Sequence, residues 1–363
     1  MPTEYPIRTY YTVTDRMSAL FRKEARQLGW NGGTAAEFER WREQARSRLR
    51  ELLGLDRFES CPLEPRRLES EPMDGYRREK WIIQTEPGVW MPFFLLLPDG
   101  FAEGERRPVV VNPHGHLAGK YYTAGVDEIP MIRDWIARTK GRTPFAIELV
   151  RAGYIVFCPD ARGAGERREW MKQSDSDDDF VGNTCTPINQ MAISLGYTLA
   201  GMLTWDLQRL LDYIGTRGDC DAGRIACGGM SGGGMQTLWL AALDERVACA
   251  IVSGYFYGFH DSLLLMPHNC GCNFVPNLWK YIDMGDIGAL IAPRPLLVET
   301  GSRDHLNGTN GLANVFPQTE IVRSAYQLYG AEDRFTHFVF DGEHEWNGSE
   351  AAGFLDRWLC SRL

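Results

Sequence analysis

Cys227-Gly228-Gly229-Met230-Ser231-Gly232-Gly233-Gly234-Met235 places one serine between glycines two positions to either side. A serine on a sharp turn between a strand and a helix has strained backbone angles. Its neighbours two residues away then approach too closely for side chains. The flanks supply that setting: 225–228 reads as a short apolar strand and about 235–243 as a helix. The N-terminal N–H groups of such a helix point at the turn and favour negative charge there. A glycine-rich turn with an incidental serine has the same letters. The strand before and the helix after favour Ser231 as a nucleophile.

Outward from this turn, apolar runs alternate with helical spacing. Residues 81–84 and 90–97 read as a hairpin around Glu86-Pro87-Gly88, and 108–112 and 155–158 as strands buried on both faces. Further strands are expected at 247–253, 295–299 and 337–340, one long helix over 191–214, and a last helix over 351–359. This rhythm predicts an α/β fold with a mostly parallel sheet covered on both faces. Residues 15–55 carry helical spacing with a break at Asn31-Gly32-Gly33-Thr34, where Thr34 suits a helix cap. The expected organisation is a helical extension over 1–74 and a catalytic unit over 75–363. Connections at about 161–190 and 256–293 are long enough to be read as functional insertions.

A serine hydroxyl needs a base, and the base needs an orienting carboxylate. In sheets that carry this turn the chain order is serine, acid, histidine. His344, in Phe340-Asp341-Gly342-Glu343-His344-Glu345-Trp346, follows the last strand on a loop that can reach over the strand ends. His337 lies within that strand and is expected in packing. Asp304 ends the run Leu297-Val298-Glu299-Thr300-Gly301-Ser302-Arg303-Asp304 and reaches the same edge, whereas Glu299 sits mid-strand. Glu343 and Glu345 are too near His344 in sequence to orient its ring. Asn112-Pro113-His114-Gly115-His116 follows the strand 108–112 and is the expected oxyanion loop. The first donor is the N–H of His116 or Gly115, the second that of Gly232. His114 is expected to bond loop backbone through its ring.

A net charge of −9 excludes a phosphate backbone as a general partner, and the arginines from Arg40 to Arg50 alternate with glutamates as on a solvated helix face. No run of about 18 apolar residues offers a membrane span, and the first residues lack a secretory core. Nine cysteines, some inside apolar strands (Cys158, Cys249), suit reduced thiols in a cytoplasmic protein. His268, Cys270 and Cys272 invite a zinc hypothesis, but no fourth ligand is evident and Cys-x-Cys is tight spacing. Neither a metal nor a cofactor is expected.

The run Gly229-Met230-Ser231-Gly232-Gly233-Gly234 is accompanied by Asp160-Ala161-Arg162-Gly163-Ala164-Gly165 and by Asp283-Met284-Gly285-Asp286-Ile287 leading into Ile291-Ala292-Pro293-Arg294-Pro295. His268-Asn269-Cys270-Gly271-Cys272-Asn273-Phe274-Val275-Pro276 is a further marker. With these, roughly residues 75–363 resemble the acetyl xylan esterase-like and dienelactone hydrolase-like branch of the α/β-hydrolases. The resemblance implies the α/β-hydrolase fold, a triad of Ser231, His344 and Asp304, and removal of acetyl or methyl ester groups from carbohydrates. Small esters or short oligosaccharide esters fit a chain without a visible leader. Trp170, Tyr255, Trp279 and Trp346 are candidates to stack on a sugar, with loop packing as the competing explanation. Arg162 is a candidate for a substrate carboxylate, with a structural ion pair as its alternative. A serine peptidase of prolyl-oligopeptidase type uses the same triad order but usually adds a propeller, and no such repeat is present. A non-catalytic binding protein on this fold usually loses a triad member.

Overall fold

The structure, a computed structural model, describes residues 9–100, 102, 104–138, 145–267 and 269–360. Val109 and Val111 join Ile155 and Phe157 in one hydrophobic cluster, whereas Val110 joins Val156 and Cys158 in another. Successive side chains of a strand point to opposite faces, so a strand apolar at every position must be covered on both.

The sheet has nine strands: β1 Arg66–Met73, β2 Tyr76–Glu86, β3 Val89–Pro98, β4 Arg107–Val111, β5 Ile155–Pro159, β6 Cys220–Met230, β7 Val247–Ser253, β8 Leu296–Gly301 and β9 Phe335–Phe340. Their order is β1-β2-β3-β5-β4-β6-β7-β8-β9. The pairs β1–β2, β2–β3 and β3–β5 are antiparallel. All pairs from β5 to β9 are parallel. The chain steps from β4 to β5 on one side and then crosses to β6 on the other. A crevice therefore opens between the C-terminal ends of β4 and β6, the place where open α/β sheets bind ligands.

Several elements differ from the sequence expectation. The helix expected over 191–214 is two helices, Cys185–Ser194 and Leu199–Thr216. Gly196 takes a positive φ of 79° between them, and the Thr198 hydroxyl caps the second helix by accepting from Gly201 N–H at 3.0 Å. The sheet begins at Arg66, inside the stretch read as wholly helical. That strand is exposed along most of its length, so no apolar run announces it.

Within the N-terminal stretch, Thr14–Glu24 and Ala35–Leu53 are helices, the second with a capping box of Thr34 and Glu37. Trp30, Phe38, Trp41, Leu49 and Leu53 are buried in the same cluster as the sheet residues Val109 and Val111. The arginine face is not simply solvated. Arg46 donates to the carbonyls of Ala242 (3.0 Å) and Leu290 (3.1 Å), and Arg42 to that of Ala292 (3.2 Å). Guanidinium groups there satisfy carbonyls at the ends of neighbouring helices.

Candidate active site

Ser231 has φ 59° and ψ −120°, immediately after β6 and immediately before the helix Gly232–Leu243. The helix thus starts at the serine, three residues ahead of the sequence expectation. The glycines permit this by close approach. A Cβ on Gly229 would stand 2.8 Å from the Gly233 carbonyl carbon, and one on Gly233 would stand 2.2 Å from Pro113 O. Either would push the oxyanion loop off the turn. Ser231 N–H donates to Ser253 O at 2.8 Å, which ties the strained residue to β7.

The loop after β9 is seated against the end of β8. Arg303 N–H donates to Gly342 O at 2.9 Å, and a Cβ on Gly301 would stand 2.2 Å from Glu343 O. This seat brings His344 over the sheet edge. Its Nε2 lies 2.8 Å from Ser231 Oγ and its Nδ1 lies 2.7 Å from Asp304 Oδ2. Asp304 is 4% exposed, and its other oxygen accepts Leu306 N–H at 2.8 Å. With a carboxylate facing Nδ1, that nitrogen carries the proton and Nε2 is left to accept from the serine hydroxyl. Glu299, deeper on β8, accepts Gly348 N–H at 3.1 Å, and burial pushes its pKa up to about 7. His337 sits beside Thr300 on the neighbouring strand, and burial lowers its pKa to about 4.

The loop 112–116 lies against the serine turn. Asn112 Nδ2 donates to Gly228 O at 2.7 Å, and Gln236 Nε2 donates to His114 O (3.0 Å) and Gly232 O (3.1 Å). His114 is buried, and burial lowers its pKa. As a neutral ring it accepts Ala161 N–H at Nε2 (2.9 Å) and donates from Nδ1 to Gly115 O (2.5 Å). The N–H of His116 belongs to the same trans peptide as that carbonyl and points the opposite way. Gly115 packs on the serine: a Cβ there would stand 3.5 Å from Ser231 Cβ. Gly232 begins its helix, so its N–H has no partner within that helix.

Ser231 and His344 line two cavities. One, of 360 Å³, has walls that include Tyr122, Phe145, Met230 and Trp346. The other, of 380 Å³, has walls that include Asn183, Thr186, Asn269, Asn273, Tyr255 and Tyr257. Of the aromatic candidates, Trp346 therefore lies at the first cavity and Tyr255 at the second. Trp170 is 79% exposed and, among the described residues, lines neither. Trp279 also lines neither. It packs against Phe21, Phe259 and Phe274, because the N-terminal helix covers the loop that carries it. Arg162 is drawn away from both cavities into ion pairs with Asp206 (2.7 Å) and Glu86 (2.5 Å). Asp206 is buried, but Arg162 and Arg167 outweigh that cost and hold it below the usual carboxylate range.

His268 lies outside the described residues. The imidazole that meets the thiols is that of His116, with Nε2 3.2 Å from Cys272 Sγ. The ligand atoms of His116, Cys270 and Cys272 all lie within 4.8 Å of one another. Cys185 faces the same three side chains. Burial opposes charge on His116, yet its contacts with Cys185 and Cys270 hold its pKa up at about 10. Sequence reasoning missed Asn112, Gln236, His305 and Cys185. Each is brought to the site by a different element, and only Asn112 belongs to a recognisable motif, the run Asn112–His116 after β4.

No helix among the described residues is long and apolar enough to cross a membrane. The chain is 28% identical over 326 residues to the Bacillus subtilis protein named "Putative hydrolase YtaP", covering 88% of this chain and all of that one. A Bacteroides fragilis protein described as a "putative acetyl xylan esterase" superposes with a TM-score of 0.73 at 19% identity, over 92% of this chain and 83% of that one. A glucuronoyl esterase from Solibacter usitatus gives a TM-score of 0.62 at 16% identity, over 92% of this chain and 95% of that one. At those identities the likeness is one of fold, the α/β-hydrolase fold. The Abhydrolase family model matches residues 30–343, so the chain belongs to the Abhydrolase family and is a hydrolase of the α/β fold.

Proposed function

We propose that the chain is a serine carboxylic ester hydrolase acting on acetylated or methyl-esterified carbohydrates or other small esters. The observation that carries this reading is the relay from Ser231 Oγ to His344 Nε2 (2.8 Å) and from His344 Nδ1 to Asp304 (2.7 Å). Ser231 Oγ attacks the ester carbonyl as its proton passes to His344 Nε2. Asp304 holds the ring and stabilises the imidazolium. The oxyanion takes hydrogen bonds from Gly232 N–H and, because of how His114 holds the intervening peptide, from His116 N–H. His344 returns the proton to the leaving alcohol, leaving an acyl-enzyme. Water, deprotonated by the same histidine, then releases the acid and restores the serine.

The apolar cavity suits the acyl group and the polar one the alcohol. The solved relative described as a putative acetyl xylan esterase supports the sugar as alcohol, whereas in a methyl-esterified sugar, as in the ester of a glucuronoyl esterase, the sugar is the acyl part. The unit performing the reaction is the sheet and its covering helices from β1 onward, a little ahead of the expected start at 75, with the helices before it as a supporting extension. The nine free thiols suit a reducing, cytoplasmic setting. A fluorophosphonate probe is expected to label wild type and not Ser231→Ala, and wild type is expected to turn over p-nitrophenyl acetate and acetylated sugars but not proline-containing peptides. Equal labelling of Ser231→Ala overturns the assignment of the nucleophile, and peptide turnover overturns the ester.

A further inference from the structure

Three segments far apart in the sequence deliver thiols and an imidazole to one point. His116 comes from the loop after β4, Cys185 from the first turn of the helix Cys185–Ser194, and Cys270 and Cys272 from the short turn around Gly271–Asn273. Ester hydrolysis as described uses none of the four side chains. We propose that His116, Cys185, Cys270 and Cys272 form a structural site for a thiophilic divalent cation, of which zinc is the one their chemistry fits best.

The donor set is three sulfurs and one nitrogen, the Cys₃His composition of closed tetrahedral zinc sites. The spacing agrees. Zinc–sulfur bonds of about 2.3 Å and a zinc–nitrogen bond of about 2.0 Å put neighbouring ligand atoms roughly 3.5–3.8 Å apart. Here His116 Nε2 is 3.2 Å from Cys272 Sγ, and the nitrogen and the sulfurs of Cys270 and Cys272 lie within 4.8 Å of one another. Gathering these three atoms takes only a small relaxation around an ion, and Cys185, which faces the same three side chains, has to move in to supply the fourth ligand. A disulfide accounts for the geometry less well, because it joins two sulfurs and leaves the third thiol and the imidazole without a role. Cys185 and Cys272 are buried, which limits their access to oxidants, and all are free thiols.

Binding is an exchange of protons for a cation. The cluster gives up its thiol protons and the second proton of the His116 imidazolium to solvent, so that three thiolate sulfurs take the metal and His116 binds through Nε2 as the neutral ring with its proton on Nδ1. That ring lies over the serine turn: a Cβ on Gly232 would stand 2.9 Å from His116 Cε1. The ion therefore anchors both insertions, 161–190 and 256–293, to the loop whose backbone faces the developing oxyanion. It touches no reacting atom and acts by positioning. The family marker around Cys270-Gly271-Cys272 is then a metal-binding turn, with its histidine supplied from the oxyanion loop.

The test is metal content of the full chain, purified under reducing conditions from zinc-supplemented medium and dialysed against metal-free buffer. The expected result is about one zinc per chain in wild type and almost none in Cys185→Ser or Cys272→Ser. Cobalt(II) reconstitution of wild type is expected to give thiolate-to-metal charge-transfer bands and the intense ligand-field bands of a tetrahedral site. If the serine variants do not fold, these cobalt spectra and zinc release on mercurial modification of wild type decide the question. Wild type without zinc and without such cobalt bands overturns the proposal, as does full zinc retention by both variants. Seven rather than nine thiols titrating in denaturant, nine cysteines less the two of one disulfide, also overturns it. Metal content is read without substrate, so this test can fail while the esterase reading stands, and the reverse.

Discussion

Ser231 stands between two cavities of similar size, 360 and 380 Å³, and of opposite character. The apolar one is lined by Met230 at the end of β6, by Asn112 and Pro113 just after β4, and by Phe145 and Trp346, whose rings lie 4.2 Å apart. Its walls belong to the sheet and the elements packed on it. The polar one is lined by Asn183 and Thr186 from one long insertion and by Asn269, Cys270 and Asn273 from the other. The difference teaches where each half of an ester's recognition is encoded. Under the proposed reading, the fold itself shapes the side that would receive the acyl group, and the insertions shape the side that would receive the alcohol. Changes in loop sequence can therefore alter the alcohol without disturbing the nucleophile.

The largest effect should fall on the line that divides the cavities. Asp304→Asn leaves His344 with the wrong ring nitrogen protonated and is expected to lower kcat by about 10³–10⁴-fold. The loss should be equal for esters with bulky acyl groups and for esters with bulky alcohols. Steady-state rates on both kinds of substrate check this, and unequal losses break the idea of one shared relay.

The next largest effect concerns the footing of the apolar side. Glu299 accepts Gly348 N–H, two residues beyond Trp346, and burial raises its pKa from 4.5 to about 7. The folded protein thus holds this proton more tightly than the unfolded chain. Stability from this group is full below about pH 4.5 and declines as pH rises through 7, by about 3 kcal/mol at most. Glu299→Gln keeps an acceptor for Gly348 and removes the titration. Its thermal midpoint should exceed that of wild type at pH 8 and match it near pH 4.5. A variant less stable than wild type at pH 8 would show that the carboxylate is satisfied where it sits.

The same contrast governs what the sequence could disclose. Ser231 and Asp304 are legible because each follows a buried apolar strand, and such strands mark their own C-terminal ends; His344 is legible as the histidine on the loop after the last strand, which is only half-buried. Apart from Tyr255, the polar cavity is not legible, because most of its polar residues lie on loops without periodicity. Asn183, Asn269 and His305 have neighbours in space that no spacing rule predicts. The thiol cluster shows why most clearly. Cys270-Gly271-Cys272 invites a ligand search nearby in the chain, and the nearest histidine is His268, yet the ring that meets the thiols is 156 positions away from Cys272 at His116. Arg162 misleads in the opposite sense. A cation after a strand end suggests a substrate carboxylate, but the buried Asp206, on the helix Leu199–Thr216, claims it first.

A smaller effect tests the apolar cavity directly. If it holds the acyl chain, each added methylene buried there contributes about 0.8 kcal/mol, roughly fourfold in kcat/KM. The p-nitrophenyl series from acetate to butyrate should rise at about that rate and then level off as the chain fills the 360 Å³ available. Leu117→Trp, at the exposed rim of the same cavity, should shorten the preferred chain. A flat series with unchanged profiles in Leu117→Trp would move the acyl group to the other side of the serine.

The smallest effect belongs to the polar side. His305 lines that cavity, its side chain is 66% exposed, and its ring meets His344 edge-on at 5.3 Å. Its exposure keeps the cost of His305→Ala to the fold within about 0.5 kcal/mol. If the alcohol lies in this cavity, the variant loses a hydrogen-bonding and stacking partner for it. KM for acetylated sugars should then rise about two- to fivefold, a change worth roughly 0.4–1 kcal/mol, while kcat on p-nitrophenyl butyrate stays within about twofold. Equal losses in kcat on both substrates would mean instead that His305 serves to steady the His344 ring. The alcohol would then have to find its contacts among the remaining polar lining, such as Asn183, Thr186 and Asn269.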